Sequence, residues 1–233
     1  TRGRFTVKIL RSDGSAVSSW TLTTPVGNNK ALWQAQVGDV TGDESPEIIL
    51  TPTAASTELF RVYNQKGKEL RAVKAGRTAI RSVTAIARQW AGGKDRIIVL
   101  YDEKKVTMAH HFDNTLQARD RIRLASAKFS PVFAIARLSA ADKHMYVLGG
   151  AAGADPVLSY YSASGELERR FSVYDGSARS GLLVTPVYDA VTGLDDLVVG
   201  VARGDQPLRV WNGQVQKLDE WWPHAEGTPL GRL

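Results

Sequence analysis

From Asp39 to Glu47 every second residue carries a side-chain oxygen: Asp39, Thr41, Asp43, Ser45 and Glu47, with Gly42 and Pro46 in the intervening positions. Such a run can do two things. Its oxygens can accept hydrogen bonds from the loop's own N–H groups, as in Asx-turns. They can also converge on a hard cation, which takes oxygen ligands. A weaker echo of the same run is Asp189, Thr192-Gly193 and Asp195-Asp196.

Other candidate chemistries are thinner. His110 and His111 are adjacent, and neighbours on a strand point to opposite faces, so their rings do not converge on one ion. One is expected to face solvent and the other to pack. Trp33 and Trp90 offer flat faces for stacking on a sugar or a base, but they occupy different places within the pattern described below. Trp221-Trp222-Pro223 closes the last apolar segment and is expected to pack on a neighbouring domain. The chain has no cysteine, which removes disulfides, thiolate zinc sites and cysteine nucleophiles. It contains no G-x-S-x-G, G-x-x-x-x-G-K-[ST] or H-E-x-x-H motif. The Gly149–Asp155 run is glycine-rich but lies between two strand-like segments, so no helix N-terminus is expected there to hold phosphate. No catalytic residues are identified, and the chain is expected not to be an enzyme.

The elements that must position these residues follow from a repeat. Five segments share an alternating apolar stretch, an aromatic or Leu, and a short polar turn. Their anchors are Leu10, Tyr63, Phe112, Tyr161 and Trp211, at spacings of 53, 49, 49 and 50 residues. In three copies a glycine follows four residues later (Gly14, Gly67, Gly165), where a hairpin turn needs positive φ. A second pattern alternates with the first: Ala85-Ile86-Ala87-Arg88 returns as Ala134-Ile135-Ala136-Arg137, and aliphatic runs lie at 48–50, 97–100, 146–148 and 197–199. Short aliphatic runs between turns read as fully buried strands. Each unit thus has a small-residue strand, an aliphatic strand, an anchored strand and a polar outer strand.

Four strands in forty to fifty residues is the period of a β-propeller blade, so the expected fold is all-β, a β-propeller of four-stranded antiparallel blades. The expected units are 4–27 (a half blade), 28–77, 78–127, 128–177 and 178–223, with 224–233 as a tail or the start of a further strand. This reading gives four and a half blades, from a five-bladed ring or a fragment of a larger propeller.

The segment Val37-Gly38-Asp39-Val40-Thr41-Gly42-Asp43-Glu44-Ser45-Pro46-Glu47-Ile48-Ile49 resembles the FG-GAP/VCBS repeats, the propeller repeats of integrin α-chain heads and many bacterial surface proteins. Phe60-Arg61-Val62-Tyr63-Asn64 followed by Gly67-Lys68-Glu69-Leu70 is similar to the second half of such a repeat. The motif is good in one unit, partial around Asp189–Leu197 and absent from the two between. The resemblance implies a Ca²⁺ site at Asp39, Thr41, Asp43, Ser45 and Glu47. Two positions depart from the family pattern: Thr41 stands for Asn or Asp, and Glu44 for Gly. The resemblance also implies an extracellular or cell-surface location.

Net charge is +6. From Lys66 to Arg123 there are fourteen Lys/Arg and six Asp/Glu. These charges alternate with apolar residues, as on the outer faces of strands, so nucleic acid is not the expected partner. A polyanion binder using this stretch would lose affinity as salt rises. No run approaches the eighteen apolar residues of a membrane span. The expected function is a non-enzymatic binding or structural module of a larger protein, taking a protein or glycan ligand or neighbouring domains of its own chain. The rival readings are a lectin-like propeller using Trp33 and Trp90, and a propeller enzyme whose site the sequence does not reveal.

Overall fold

The aliphatic runs form the second strand of each four-stranded sheet, and the anchors close the third. The computed structural model describes residues 3–24, 33–75, 80–87, 95–103, 106–124, 132–140, 144–176 and 178–222. Among them lie strands β1 (Gly3–Leu10), β2 (Ala16–Thr24), β3 (Trp33–Gly38), β4 (Glu47–Pro52), β5 (Glu58–Tyr63), β6 (Glu69–Lys74), β7 (Ser82–Ala87), β8 (Arg96–Glu103) and β9 (Val106–Phe112). They continue with β10 (Ala118–Arg123), β11 (Val132–Ala136), β12 (Met145–Gly149), β13 (Val157–Tyr161), β14 (Leu167–Ser172), β15 (Leu182–Asp189), β16 (Leu194–Val201), β17 (Leu208–Trp211) and β18 (Lys217–Trp221). No helix occurs among the described residues. β1 and β2 form a two-stranded sheet, and β3–β6, β7–β10, β11–β14 and β15–β18 each form a four-stranded sheet with strands in sequence order. These are the four full blades and the half blade expected from the repeat.

Burial follows the strand's place in its sheet. All six residues of β4 are buried, as are all five of β12, because a second strand is covered on both faces. Fully burying a side chain of Ile or Leu size is worth ~1.5–3 kcal/mol relative to leaving it exposed, so a polar residue at Ile49, which is 0% exposed, would break its sheet. The fourth strands β6, β10, β14 and β18 are largely exposed; of the Lys/Arg between Lys66 and Arg123, Arg71, Lys74, Arg119, Arg121 and Arg123 lie on them.

The chain forms two compact units, residues 1–101 with 110–120, and residues 102–109 with 121–233. In the first, Ile48, Leu50 and Tyr63 form a cluster against which Val7, Ile9, Trp20 and Trp33 pack. Trp20 lies 5.2 Å from Tyr63, and Phe60 meets Phe112 edge-on at 4.9 Å. Arg61 is held between Glu58 and Glu69, which pairs a largely buried charge. In the second unit, Ala134, Ala136, Met145, Val147, Leu158 and Tyr160 face Leu182, Leu197, Val199 and Val201 across one core. The buried Tyr174 hydroxyl lies 2.9 Å from the Val199 carbonyl and within reach of that of Pro207, and the Arg209 guanidinium sits 4.6 Å over its ring.

The turn between third and fourth strands is built alike in all five units. The residue four after each anchor has positive φ: Gly14 (83°), Gly67 (79°), Leu116 (58°), Gly165 (90°) and Val215 (66°). Each donates its N–H to the carbonyl three residues back, closing a tight turn followed by a left-handed residue. The residue after the anchor caps the turn with its side chain. Asn64 Oδ1 accepts from Lys66 and Lys68 N–H, Asp113 Oδ1 from Thr115 and Gln117, and Asn212 Oδ1 from Gln214 and Gln216. Ser162 Oγ accepts from Glu166 N–H. In the first copy Arg11 holds this place, and Asp13 takes over by accepting from Ser15 N–H.

Candidate functional site

The acidic run lies in the loop joining β3 to β4. Asp39 follows the end of β3, and its carboxylate turns back into the loop: Oδ1 accepts from Gly42 N–H at 2.6 Å and Asp43 N–H at 3.2 Å, and Oδ2 from Glu44 N–H at 3.1 Å. Asp43 Oδ1 accepts from Ser45 N–H at 2.9 Å. The chain can curl this tightly because Gly42 and Glu44 are left-handed, with φ of 74° and 67°. Glu44 therefore adopts the conformation that the family's glycine would supply, at a steric cost that glycine avoids.

Glu47 opens β4 and is 2% exposed. Its Oε2 accepts from Val40 and Thr41 N–H, both at 3.0 Å, and its Oε1 from the Thr41 hydroxyl at 3.2 Å. Burial pushes the Glu47 carboxyl above its ordinary range and nearby Asp43 adds to the rise, while the Thr41 and Val40 donors pull against it. One oxygen each of Asp39, Asp43 and Glu47 lies within 4.8 Å of the others. Three of the five residues of the sequence-derived site thus converge. Thr41 joins them through its bond to Glu47, and Ser45 is exposed with its N–H on Asp43. The donor set suits a hard cation in kind. In number, three carboxylate oxygens are half or fewer of the six to eight that Ca²⁺ takes, and the loop's own N–H groups already point at them.

The echo in the last sheet divides between two structural jobs. Asp189 forms an Asx-type turn, accepting from Val191 N–H at 2.9 Å and from the Thr192 hydroxyl at 2.7 Å. Gly193 at φ 70° completes it. Asp195 is 6% exposed and links two sheets: its Oδ2 accepts from Arg137 N–H at 2.7 Å, and its own N–H donates to the Arg137 carbonyl at 2.8 Å. Asp95 N–H donates likewise to the Asp39 carbonyl at 3.1 Å. Asp39 and Arg137 each follow a small-residue strand, so the second sheet is tied to the first as the fourth is to the third. The sequence reading grouped Asp195 with the acidic loops and missed this link. Its signal was an Asp about one residue before or inside the aliphatic strand, at Asp95 and Asp195 alike. Burial, then the charges of Asp189 and Asp195, raise the Asp196 carboxyl.

His111 is buried, and His110 lies between Phe112 at 4.9 Å and Tyr101 at 6.3 Å. The pair therefore splits between faces as strand geometry requires. Trp33 is half-buried and packs on the Ile48–Leu50–Tyr63 cluster; Trp90 lies outside the described residues. Trp211 packs on the second unit's core, 5.0 Å from Phe171. Trp221 and Trp222 are 39% and 38% exposed.

No family model matches the chain, and no curated protein matches it. Among solved structures, the Dos1 propeller is similar at a TM-score of 0.57 and 9% identity, over 97% of this chain and 56% of that one. The Vibrio cholerae biofilm matrix protein Bap1 aligns over 93% of this chain and 57% of its own at 10% identity, with a TM-score of 0.26. The chain thus spans just over half the length of each. At 9% identity the first likeness speaks to architecture alone, and together with the four antiparallel sheets it shows that this chain has a β-propeller fold.

Proposed function

We propose that the chain is a non-enzymatic binding module of FG-GAP/VCBS type, part of an extracellular or cell-surface protein, that takes a protein ligand on the loops between its first and second strands. One observation carries this reading. Among the described residues the turns between third and fourth strands share one backbone plan, whereas the two first-to-second-strand loops described throughout differ: the β3–β4 loop covers residues 39–46, with Asp39 accepting from three loop N–H groups, and the β15–β16 turn is short, with Val191 94% exposed and Tyr188 of the β15 end 43% exposed. A constant scaffold with divergent loops is the usual arrangement for binding. A propeller alone licenses no particular ligand. Screening the intact chain on an array of cell-surface proteins and on a glycan array tests the reading. Protein hits weakened by Tyr188→Ala and Val191→Ser support it. Glycan hits, or protein hits unaffected by both variants, overturn it, and the former favour the lectin alternative.

A second reading concerns Ca²⁺ at Asp39, Asp43 and Glu47, and is favoured by their convergence within 4.8 Å. Titration calorimetry and melting with added Ca²⁺ test it. Heat and a raised Tm that vanish in Asp39→Asn support a site. No heat and no rise leave the loop as a hydrogen-bonded turn.

A further inference from the structure

We propose that the loop between β16 and β17 docks on a divalent-cation-dependent adhesion receptor, one that offers a metal ion to a carboxylate and an acidic pocket to a guanidinium on either side of a glycine. The loop is Ala202-Arg203-Gly204-Asp205-Gln206-Pro207. Arg203, Gly204 and Asp205 are all exposed. Among the described residues, neither the Arg203 guanidinium nor the Asp205 carboxylate joins a hydrogen bond or an ion pair. The matching loop of the third sheet shows the contrast, since its Asp155 is held by Arg179 at 2.9 Å. In the β16–β17 loop a cation and an anion two residues apart neutralise neither each other nor a neighbour, so both are available to a partner.

The loop is exposed at its tip and fixed at its base. Val201 is 1% exposed and Pro207 is buried. Ala202 N–H donates to the Gly181 carbonyl at 2.8 Å, and Arg203 N–H to the Ser180 hydroxyl at 3.4 Å. The Tyr174 hydroxyl holds the Pro207 carbonyl. A short loop held at both ends has less freedom to lose on binding. Gly204 has a φ of 126°, a conformation open to glycine and little else. A Cβ there would find nothing nearer than Val201 Cγ2 at 3.8 Å, so the space over Gly204 is open to a partner's approach.

Each side chain suits one half of such a receptor. The Asp205 carboxylate is a hard oxygen ligand, able to complete the shell of a Mg²⁺ ion that the receptor holds. The Arg203 guanidinium can take a receptor carboxylate through two parallel N–H bonds. Because β15, β16 and β17 are antiparallel, this loop lies at the opposite end of its sheet from the β15–β16 turn. The site is therefore separate from the first-to-second-strand loops proposed above.

The probe is a panel of immobilised integrin ectodomains of the Arg-Gly-Asp-binding kind, with the intact chain passed over them in Mg²⁺ and then in EDTA. Saturable binding in Mg²⁺ is expected, removed by EDTA and competed by a linear Gly-Arg-Gly-Asp-Ser peptide. Asp205→Glu keeps the charge but moves the carboxylate out by a methylene, and it should weaken binding by about tenfold or more, as should Arg203→Ala. Both variants should melt with the parent chain, because exposed, unpaired side chains carry little stability. Binding that survives EDTA or Asp205→Glu overturns the proposal, and so does the absence of binding across the panel.

Discussion

Gly14 and Gly67 occupy the same turn position 53 residues apart, with nearly the same φ, 83° and 79°. They differ in what lies against them. A Cβ on Gly14 would meet nothing within 4 Å, whereas one on Gly67 would lie 2.5 Å from Cγ and 2.7 Å from Cδ2 of Trp20. An L-residue in the left-handed region costs ~1–2 kcal/mol, offset by ~0.4–1 kcal/mol from the stiffer unfolded chain. Gly14→Ala should therefore cost roughly 0.5–1 kcal/mol. Gly67→Ala must in addition push aside an indole wedged against Tyr63, and overpacking of this kind costs ~1–3 kcal/mol, so its total is about 2–4 kcal/mol. Urea unfolding followed by tryptophan fluorescence measures both in the same compact unit. At ~2–4 °C per kcal/mol for a chain of this size, Tm should fall by only a few degrees for the first and by about 4–16 °C for the second. Native-state fluorescence should change in Gly67→Ala alone. Equal losses, within ~0.5 kcal/mol, would refute the claim that close approach rather than φ dominates at Gly67.

Val215 is β-branched and left-handed at φ 66°, so Val215→Asn should raise Tm by roughly 1–3 °C in a thermal melt, because Asn tolerates this region far better. The Thr115 hydroxyl first, then Gln117 N–H, with help from Arg119, hold the Asp113 carboxyl well below the usual range. Its contribution is present above the ordinary value of about 4 and fades as pH falls below it; Asp113→Asn, which keeps the Oδ1 acceptor, should flatten that acid limb in a Tm-versus-pH series. Glu47→Gln should be tolerated, the amide still reaching Thr41, while Glu47→Ala strands the Thr41 N–H, the Val40 N–H keeping the Gly38 carbonyl, and should cost ~1–3 kcal/mol by urea unfolding. Tyr174→Phe removes the buried hydroxyl that donates to the Val199 and Pro207 carbonyls and should cost ~1–2 kcal/mol in the same assay.

The strand order was legible because each strand type has its own composition: aliphatic runs where both faces are covered, alternation where one is. The turns were only partly legible. Glycine marked three of them, but Leu116 and Val215 hold the same left-handed conformation, and a residue pinned by its neighbours' hydrogen bonds leaves no compositional trace. The side-chain cap one place after the anchor was visible as Asn64, Asp113, Ser162 and Asn212, yet it takes the bonded N–H groups to give those residues a meaning. At the acidic loop, spacing pointed to Asp39, Asp43 and Glu47. It did not show that Glu47 is buried, because burial depends on the sheet beneath it. Asp195 was misgrouped for a related reason: its partner Arg137 is 58 residues away, and local spacing carries no information about so distant a contact.

The capped turns also bear on how the chain reaches its native state. Each outer hairpin closes over a handful of residues, with Tyr63 paired to Glu69 and Trp211 to Lys217, so it forms at the microsecond timescale of an isolated hairpin. The pairing of aliphatic strand with anchor spans more chain, Ile48 with Tyr63 or Tyr146 with Tyr161, and the links between sheets span more still. Loop-closure entropy grows along that series. The rim of each blade should thus condense first and serve as the template on which the interior is laid, which puts the slow steps of folding at the buried strands rather than at the exposed ones.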